Sequence, residues 1–135
     1  MMNWNYISGF FDADGSISLI KHSSENKTIQ VSFHNTDLQL INSIRAYIER
    51  ELGFRGSLAT KNPRQETHSI SYDLKYSYKQ ALLICEHLTS CHRKKTHRIA
   101  TVLKYYAQLT PRNGKYTIEM LNRRKAFERL FFLVS

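Results

Sequence analysis

Two carboxylates, Asp12 and Asp14, close a helical pattern at the end where helix electrostatics disfavours them. Trp4, Ile7 and Phe11 recur at helical spacing with Phe10 beside them, and Asn3 or Asn5 supplies the N-cap. Gly15 is the stop signal, a residue able to take the left-handed conformation that ends a helix. The acids therefore fall in the last turn, where unpaired carbonyls are already negative and a cation is favoured. A divalent metal held by carboxylate and carbonyl oxygens offsets both charges. A helix followed by a solvated Asp-Gly turn is the plainer alternative. An EF-hand does not fit, because acids are required where Phe10 and Lys21 would stand.

Small residues interrupt the aromatic ones. Ser8, Gly9 and Ala13 break the apolar run, and Gly9 and Ala13 lie one turn apart, a spacing that lets two helix backbones approach closely. Glycine inside a helix costs about 1 kcal/mol relative to alanine, so Gly9 has a packing reason to be there. Elsewhere, Arg93-Lys94-Lys95 places a cation cluster just before a helical pattern. Cys85, His87, Cys91, His92 and His97 lack paired zinc-ligand spacing, and Cys85 lies on an apolar helix face with Leu82 and Leu88. Arg123-Arg124-Lys125 reads as a solvated or phosphate-facing patch.

The elements that must position these groups follow from periodicity. Gly15 to His22 and Lys27 to His34 alternate strictly, with Ile17, Leu19, Ile29, Val31 and Phe33 on one face and a turn at Ser23-Ser24-Glu25-Asn26. Leu38 to Leu52 is an amphipathic helix, capped by Thr36 or Asp37 and closed by Gly53. A second hairpin joins Arg55–Lys61 to His68–Tyr76 around Asn62-Pro63-Arg64, with Ile70, Tyr72 and Leu74 inward and Ser69, Ser71, Asp73 and Lys75 outward. Helices are expected over Ser77–Leu88 and Lys94–Gln108, then, after a break at Thr110–Gly114, over Tyr116–Phe132. The last carries an apolar stripe of Ile118, Leu121, Phe127, Leu130 and Phe131. Four antiparallel strands with helices on one face make an α+β architecture, in one domain over residues 1–135.

Hydrophobic content of 41% is that of a globular protein. No apolar run is long enough to span a membrane and no signal peptide is visible, so a soluble, intracellular protein with reduced thiols and no membrane partner is expected. The net charge of +9 is unevenly placed: residues 1–60 hold five Lys/Arg and six Asp/Glu, residues 61–135 fifteen against five. Such a surface calls for a polyanion. The outer face of the sheet carries Ser16, Ser18, His22, Thr28, Gln30, Ser32, His34, Arg55, Ser57, Lys61, Ser69, Ser71 and Lys75, groups that read base edges or hold phosphates.

The segment Ile7-Ser8-Gly9-Phe10-Phe11-Asp12-Ala13-Asp14-Gly15 resembles the signature of the LAGLIDADG homing endonucleases. It matches at Gly9, Asp12, Asp14 and Gly15, with apolar Ile7, Phe10 and Phe11 and small Ser8 and Ala13. The resemblance implies an αββαββα fold whose four-stranded sheet forms a saddle over double-stranded DNA. It implies a homodimer of the single-motif kind, with Ile7, Ser8, Gly9, Phe11 and Asp12 at the seam. It assigns the metal-binding acid to Asp14, with the Ala13 carbonyl as a further ligand. The metal would be Mg²⁺, with Mn²⁺ or Ca²⁺ able to substitute in binding. The family's active-site lysine aligns best with Lys95, with Lys94 one register away, and the polar water-positioning residue with Asp37, or alternatively Asn35. Cleavage of a near-palindromic site of about 20 base pairs, leaving short 3′ overhangs, is the implied activity. A splicing cofactor bound to intron RNA and a cleavage-inactive DNA-binding protein are the rivals on the same scaffold.

Overall fold

A computed structural model describes residues 1–23, 26–62, 69–105 and 118–134, with side chains 21–26 outside the description. Its elements are α1 (Trp4–Asp14), β1 (Gly15–Ser23), β2 (Asn26–Asn35), α2 (Leu38–Leu52), β3 (Ser57–Lys61), β4 (Ser71–Ser77), α3 (Tyr78–Cys85), α4 (Arg93–Tyr105) and α5 (Ile118–Phe131). The strands form one antiparallel sheet in the order β1-β2-β4-β3. This is the α+β arrangement expected from the alternation. The turns expected at Ser24-Glu25, Pro63-Arg64 and Thr110–Gly114, and the start of the last helix at Tyr116, lie outside the described residues, as do His68 and the His22 side chain.

The inward set is the one that periodicity marks. Ile17, Leu19, Ile29, Val31, Phe33, Leu74 and Tyr76 are buried, and they join Ile7 and Phe11 of α1, Ile41, Ile44 and Ile48 of α2, Ile84 and Cys85 of α3, Ile99 and Val102 of α4, and Phe127 and Phe131 of α5 in one core. Burial pushes the Cys85 thiol up to about 12, so it behaves as an apolar filler. Removing water from this much aliphatic and aromatic surface is what holds the helices on the sheet. Among the described residues, no helix is long and apolar enough to cross a membrane.

Local signals explain the element ends. The Asn3 side chain accepts a hydrogen bond from Tyr6 N at 2.8 Å, so Asn3, not Asn5, caps α1. Gly53 closes α2 in the left-handed conformation, φ +86°. Gly15 does not: its φ of −115° and ψ of 168° are extended, and it opens β1 directly. The requirement for glycine is steric, since a Cβ there would stand 2.5 Å from a Phe11 ring atom and 2.8 Å from Phe11 Cα.

Several expectations shift. Strand β4 starts at Ser71 rather than His68, leaving Ile70 outside the sheet and 45% exposed. Strand β3 starts at Ser57, after a Gly56 turn, and not at Arg55. Helix α3 ends at Cys85 and α4 begins at Arg93, with a seven-residue connection between them. On α5, Ile118 is 81% exposed and does not continue the stripe. Arg124 is only 4% exposed and not a surface patch: its guanidinium donates to the Lys27 carbonyl and lies 5.7 Å from the Phe127 ring. The long aliphatic stem of arginine makes that burial compatible with an apolar neighbour.

Candidate active site

Helix α1 ends beneath the sheet edge, and its last turn meets two other parts of the chain. The first is the connection from α3 to α4. The Ser90 hydroxyl donates to one oxygen of Asp12, and Cys91 N donates to the other at 2.9 Å. Ser90 Oγ also accepts from His92 N at 3.1 Å, and its carbonyl accepts from Thr96 Oγ1 at 2.9 Å, which fixes the start of α4. Further back on α1, the Ser8 hydroxyl accepts from Thr89 N at 3.1 Å, and His87 stacks on Trp4 with ring centroids 4.5 Å apart. The connection is thus fastened along the whole length of the helix.

Burial alone would raise the Asp12 carboxyl. The Ser90 and Cys91 hydrogen bonds, with His92 and Lys95 nearby, outweigh it and hold the group below its ordinary value. Helix α4 then brings Lys95 onto the end of α1. Lys95 Nζ donates to the carbonyls of Phe11 at 2.7 Å and Asp12 at 2.8 Å, and lies 5.1 Å from the Phe11 ring. This is the cation that the negative helix end requires, supplied from 83 residues away. Desolvation lowers the Lys95 pKa, and the charges of Asp12 and Asp14 work against that shift. Lys94, its neighbour, is exposed.

The second part is the end of β2. Asn35 Nδ2 donates to Asp14 Oδ2 at 3.0 Å, while Asn35 Oδ1 accepts from Asp37 N at 2.9 Å. The structure therefore brings Asn35, and not Asp37, to Asp14. The Asp37 carboxylate caps α2, accepting from Leu40 N at 3.1 Å. Asp14 is partly exposed, and its other oxygen has no hydrogen bond among the described residues. Ala13, whose carbonyl precedes it, is exposed. One carboxylate oxygen and one carbonyl are hard donors of the kind that magnesium takes. No group of three or more His, Cys, Asp or Glu that could hold a metal occurs among the described residues, so one chain would leave most coordination positions to water and phosphate.

The expected seam residues divide by side. Ile7, Ser8 and Phe11 face the chain's own core, and Asp12 is held by Ser90 and Cys91. The opposite stripe of α1 is open: Tyr6, Gly9 and Ala13 are exposed, with Met2 and Phe10 partly so. A Cβ at Gly9 would meet nothing within 4 Å. The apolar stripe and the small-residue stripe are thus two different faces.

The outer face of the sheet is polar and in register. Ser16, Ser32, Lys75 and Ser57 form one row across all four strands, and the Ser16 and Ser32 hydroxyls are 2.6 Å apart. Ser18 and Gln30 share the next row with Ser77. His34, exposed, pairs with Asp73, whose carboxylate lies 3.8 Å from Lys61 Nζ, and Lys61 in turn pairs with Ser71. Arg55 and Ser69 are exposed beside the sheet, outside its strands. Thr28 is buried, so it does not belong to the open surface. Sequence reasoning missed Ser90; its signal was a Thr-Ser-Cys run directly ahead of a helix, the composition of a capping turn. It also missed Arg98, which donates to the Ile17 carbonyl at 3.1 Å and ties α4 to β1.

The LAGLIDADG-like domain pattern matches residues 2–104. No curated protein matches the chain. Among solved structures, the I-LtrWI LAGLIDADG homing endonuclease bound to target DNA is similar at 19% identity and a TM-score of 0.65, over 98% of this chain and 45% of that one. The LAGLIDADG meganuclease I-AabMI bound to uncleaved DNA is similar at 16% identity and a TM-score of 0.57, over 99% of this chain and 46% of that one. The chain spans a little under half the length of each. The matched pattern runs from α1 through α4 and so contains the signature helix, the whole sheet and Lys95: the chain belongs to the LAGLIDADG family.

Proposed function

We propose that this protein is a site-specific endonuclease that hydrolyses both strands of duplex DNA as a metal-dependent homodimer. The observation that carries the reading is the state of Asp14. It is a carboxylate at the negative end of a helix, partly exposed, held on one oxygen by Asn35 and without a partner on the other among the described residues. A carboxylate left in that state fits a divalent cation, with Asp14 and the Ala13 carbonyl as ligands and phosphate and water completing the shell. Mg²⁺ bound there would make a hydroxide-like nucleophile available near neutral pH and offset charge on the scissile phosphate; Mn²⁺ or Ca²⁺ would serve in binding. Asn35 orients the Asp14 carboxylate. Lys95 holds its ammonium at the same helix end, where charge accumulates on a leaving oxygen.

Two further observations support the assembly and the substrate. The open stripe of Tyr6, Gly9 and Ala13 suits a second copy of α1, which would place two Asp14 residues side by side, one for each strand. The region shared with each solved neighbour is about half of that neighbour, which a second copy of this chain would match. Both neighbours are bound to DNA, and here the outer sheet face offers hydroxyls, an amide, an imidazole and lysines to a groove wide enough for a β-ribbon. The decisive experiment is selection from a randomised duplex library with Mg²⁺. One near-palindromic site of about 20 base pairs, cut to short 3′ overhangs, is the expected outcome. Absence of metal-dependent cleavage on the full library overturns the reading.

A further inference from the structure

At the β3 edge of the sheet, the β3, β4 and α3 junction encloses a basic concavity. Arg55, Ser57, Lys75, Ser77, Tyr78 and Lys79 line it, and no carboxylate does. Arg55 is paired with Glu49 at 3.7 Å, an exposed contact of small worth. Neither Lys75 nor Lys79 has an ion pair among the described residues. Lys75 is partly buried, its stem lying along the sheet. Ser77 occupies the cap position of α3, yet its hydroxyl makes no capping hydrogen bond. Tyr78 adopts φ +56°, a conformation disfavoured for an L residue with a large side chain, and Lys79 directly after it lines the same hollow as Lys75.

The concavity also continues something. Lys75 and Ser57 are the last two members of the row that begins with Ser16 and Ser32. A duplex lying along that row would leave the sheet where the row ends, at the β3 edge. We infer that the concavity holds a backbone phosphodiester of the bound duplex, with Lys75 and Lys79 neutralising its charge and the Ser57 and Ser77 hydroxyls donating to its oxygens. This rests on the endonuclease reading for the identity of the polyanion and assigns the contact to residues remote from Asp14 and Lys95. It is an anchor, fixing where the duplex sits without reading bases.

The test uses Lys79→Ala, an exposed position that leaves the core alone. Dissociation constants are measured across a salt series on a duplex selected by binding from a randomised library and on an unrelated duplex, with the single-turnover rate at saturating protein. Binding should weaken about three- to ten-fold on both duplexes, and the log–log salt slope should fall by about one, with the saturated rate unchanged. A scan with single methylphosphonate linkages should find a position in each half-site where neutralisation weakens wild-type binding and weakens Lys79→Ala less, because Lys75 still faces that phosphate in the variant. An unchanged salt slope, or a variant as sensitive as wild type at every linkage, overturns the anchor while leaving cleavage untouched. A wild type that binds specifically, shows the anchor and never cleaves overturns the endonuclease reading alone.

Discussion

Asp12 and Asp14 leave the same helix two residues apart and meet opposite surroundings. Asp12 takes the Ser90 hydroxyl and the Cys91 amide and is held below its ordinary pKa. Asp14 takes one amide from Asn35 and stays partly exposed. The first is consumed by the fold: it pins the α3–α4 connection to α1 and so sets where Lys95 arrives. The second has one hydrogen bond, from Asn35, and its other oxygen has no partner among the described residues. A carboxylate placed at an unfavourable helix end is offset either through protein donors or through a ligand: Asp12 has the donors, and in the proposed function Asp14 would take the ligand.

The sharpest way to break the contrast is Asp14→Asn. Shape is kept and the anionic ligand is lost, so cleavage should fall by several orders of magnitude while specific binding persists. Folding stability should change little, since the asparagine amide oxygen can still accept from Asn35 Nδ2 and a negative charge is removed from a helix C-terminus. Cleavage near the wild-type rate would remove the central claim.

Lys95→Met separates the two roles of a single ammonium. Two charge-assisted hydrogen bonds to α1 carbonyls disappear, which should lower stability by about 1–2 kcal/mol given the partial exposure. If Lys95 also acts at the scissile phosphate, the single-turnover rate at saturation should fall by about 10²-fold with little change in binding, since that interaction develops in the transition state. Loss of stability with an unchanged rate would make Lys95 a helix cap only.

How much of this was legible divides along the same line. Local chemistry was visible: the alternation of Ile29, Val31 and Phe33 fixes β2, Gly53 ends α2, and the period of Trp4, Ile7 and Phe11 places both acids in the last turn of α1. Contacts between distant elements were not. Ser90 reaches Asp12 across 78 residues, and only the packing of α4 on the sheet brings them together. That Asn35 bonds to Asp14 while Asp37 caps α2 needs the β2 register, because both are polar residues at one junction and it is the side chain closing the strand that donates to Asp14. The expected seam residues of α1 divide for a physical reason too. Large apolar residues and small ones both mark close packing, and only the fold shows that Ile7 and Phe11 pack inward while Gly9 and Ala13 remain open.

That last point makes Gly9→Leu a clean probe. Within one chain a Cβ added at Gly9 meets nothing within 4 Å, and replacing glycine in a helix gains about 0.5–1 kcal/mol, so the monomer should be as stable as wild type or more so. In a seam of two α1 helices there is no room for four extra carbons. Sedimentation should show a dimer for wild type and a folded monomer for the variant, with cleavage of both strands lost. A wild type that is monomeric at micromolar concentration, with and without DNA, sinks the homodimer.

The smallest expected effect concerns the carboxylate that the fold has already consumed. Asp12→Asn keeps an acceptor for the Ser90 hydroxyl but turns an amide toward Cys91 N, so one donor loses its partner. A loss of about 1–2 kcal/mol at pH 7 is expected, the worth of hydrogen bonds to a charged group reduced for partial exposure. The pH dependence has a definite sign. The folded-state pKa of Asp12 lies below its ordinary 3.8, so its stabilisation is complete above that value and is lost as pH falls through the folded-state value. Denaturant titrations at pH 7 and in steps below pH 4 should show the gap between wild type and variant narrowing as the acid is approached. A gap that stays constant through that range would mean that Asp12 is not held as a carboxylate by Ser90 and Cys91, and the contrast with Asp14 would disappear.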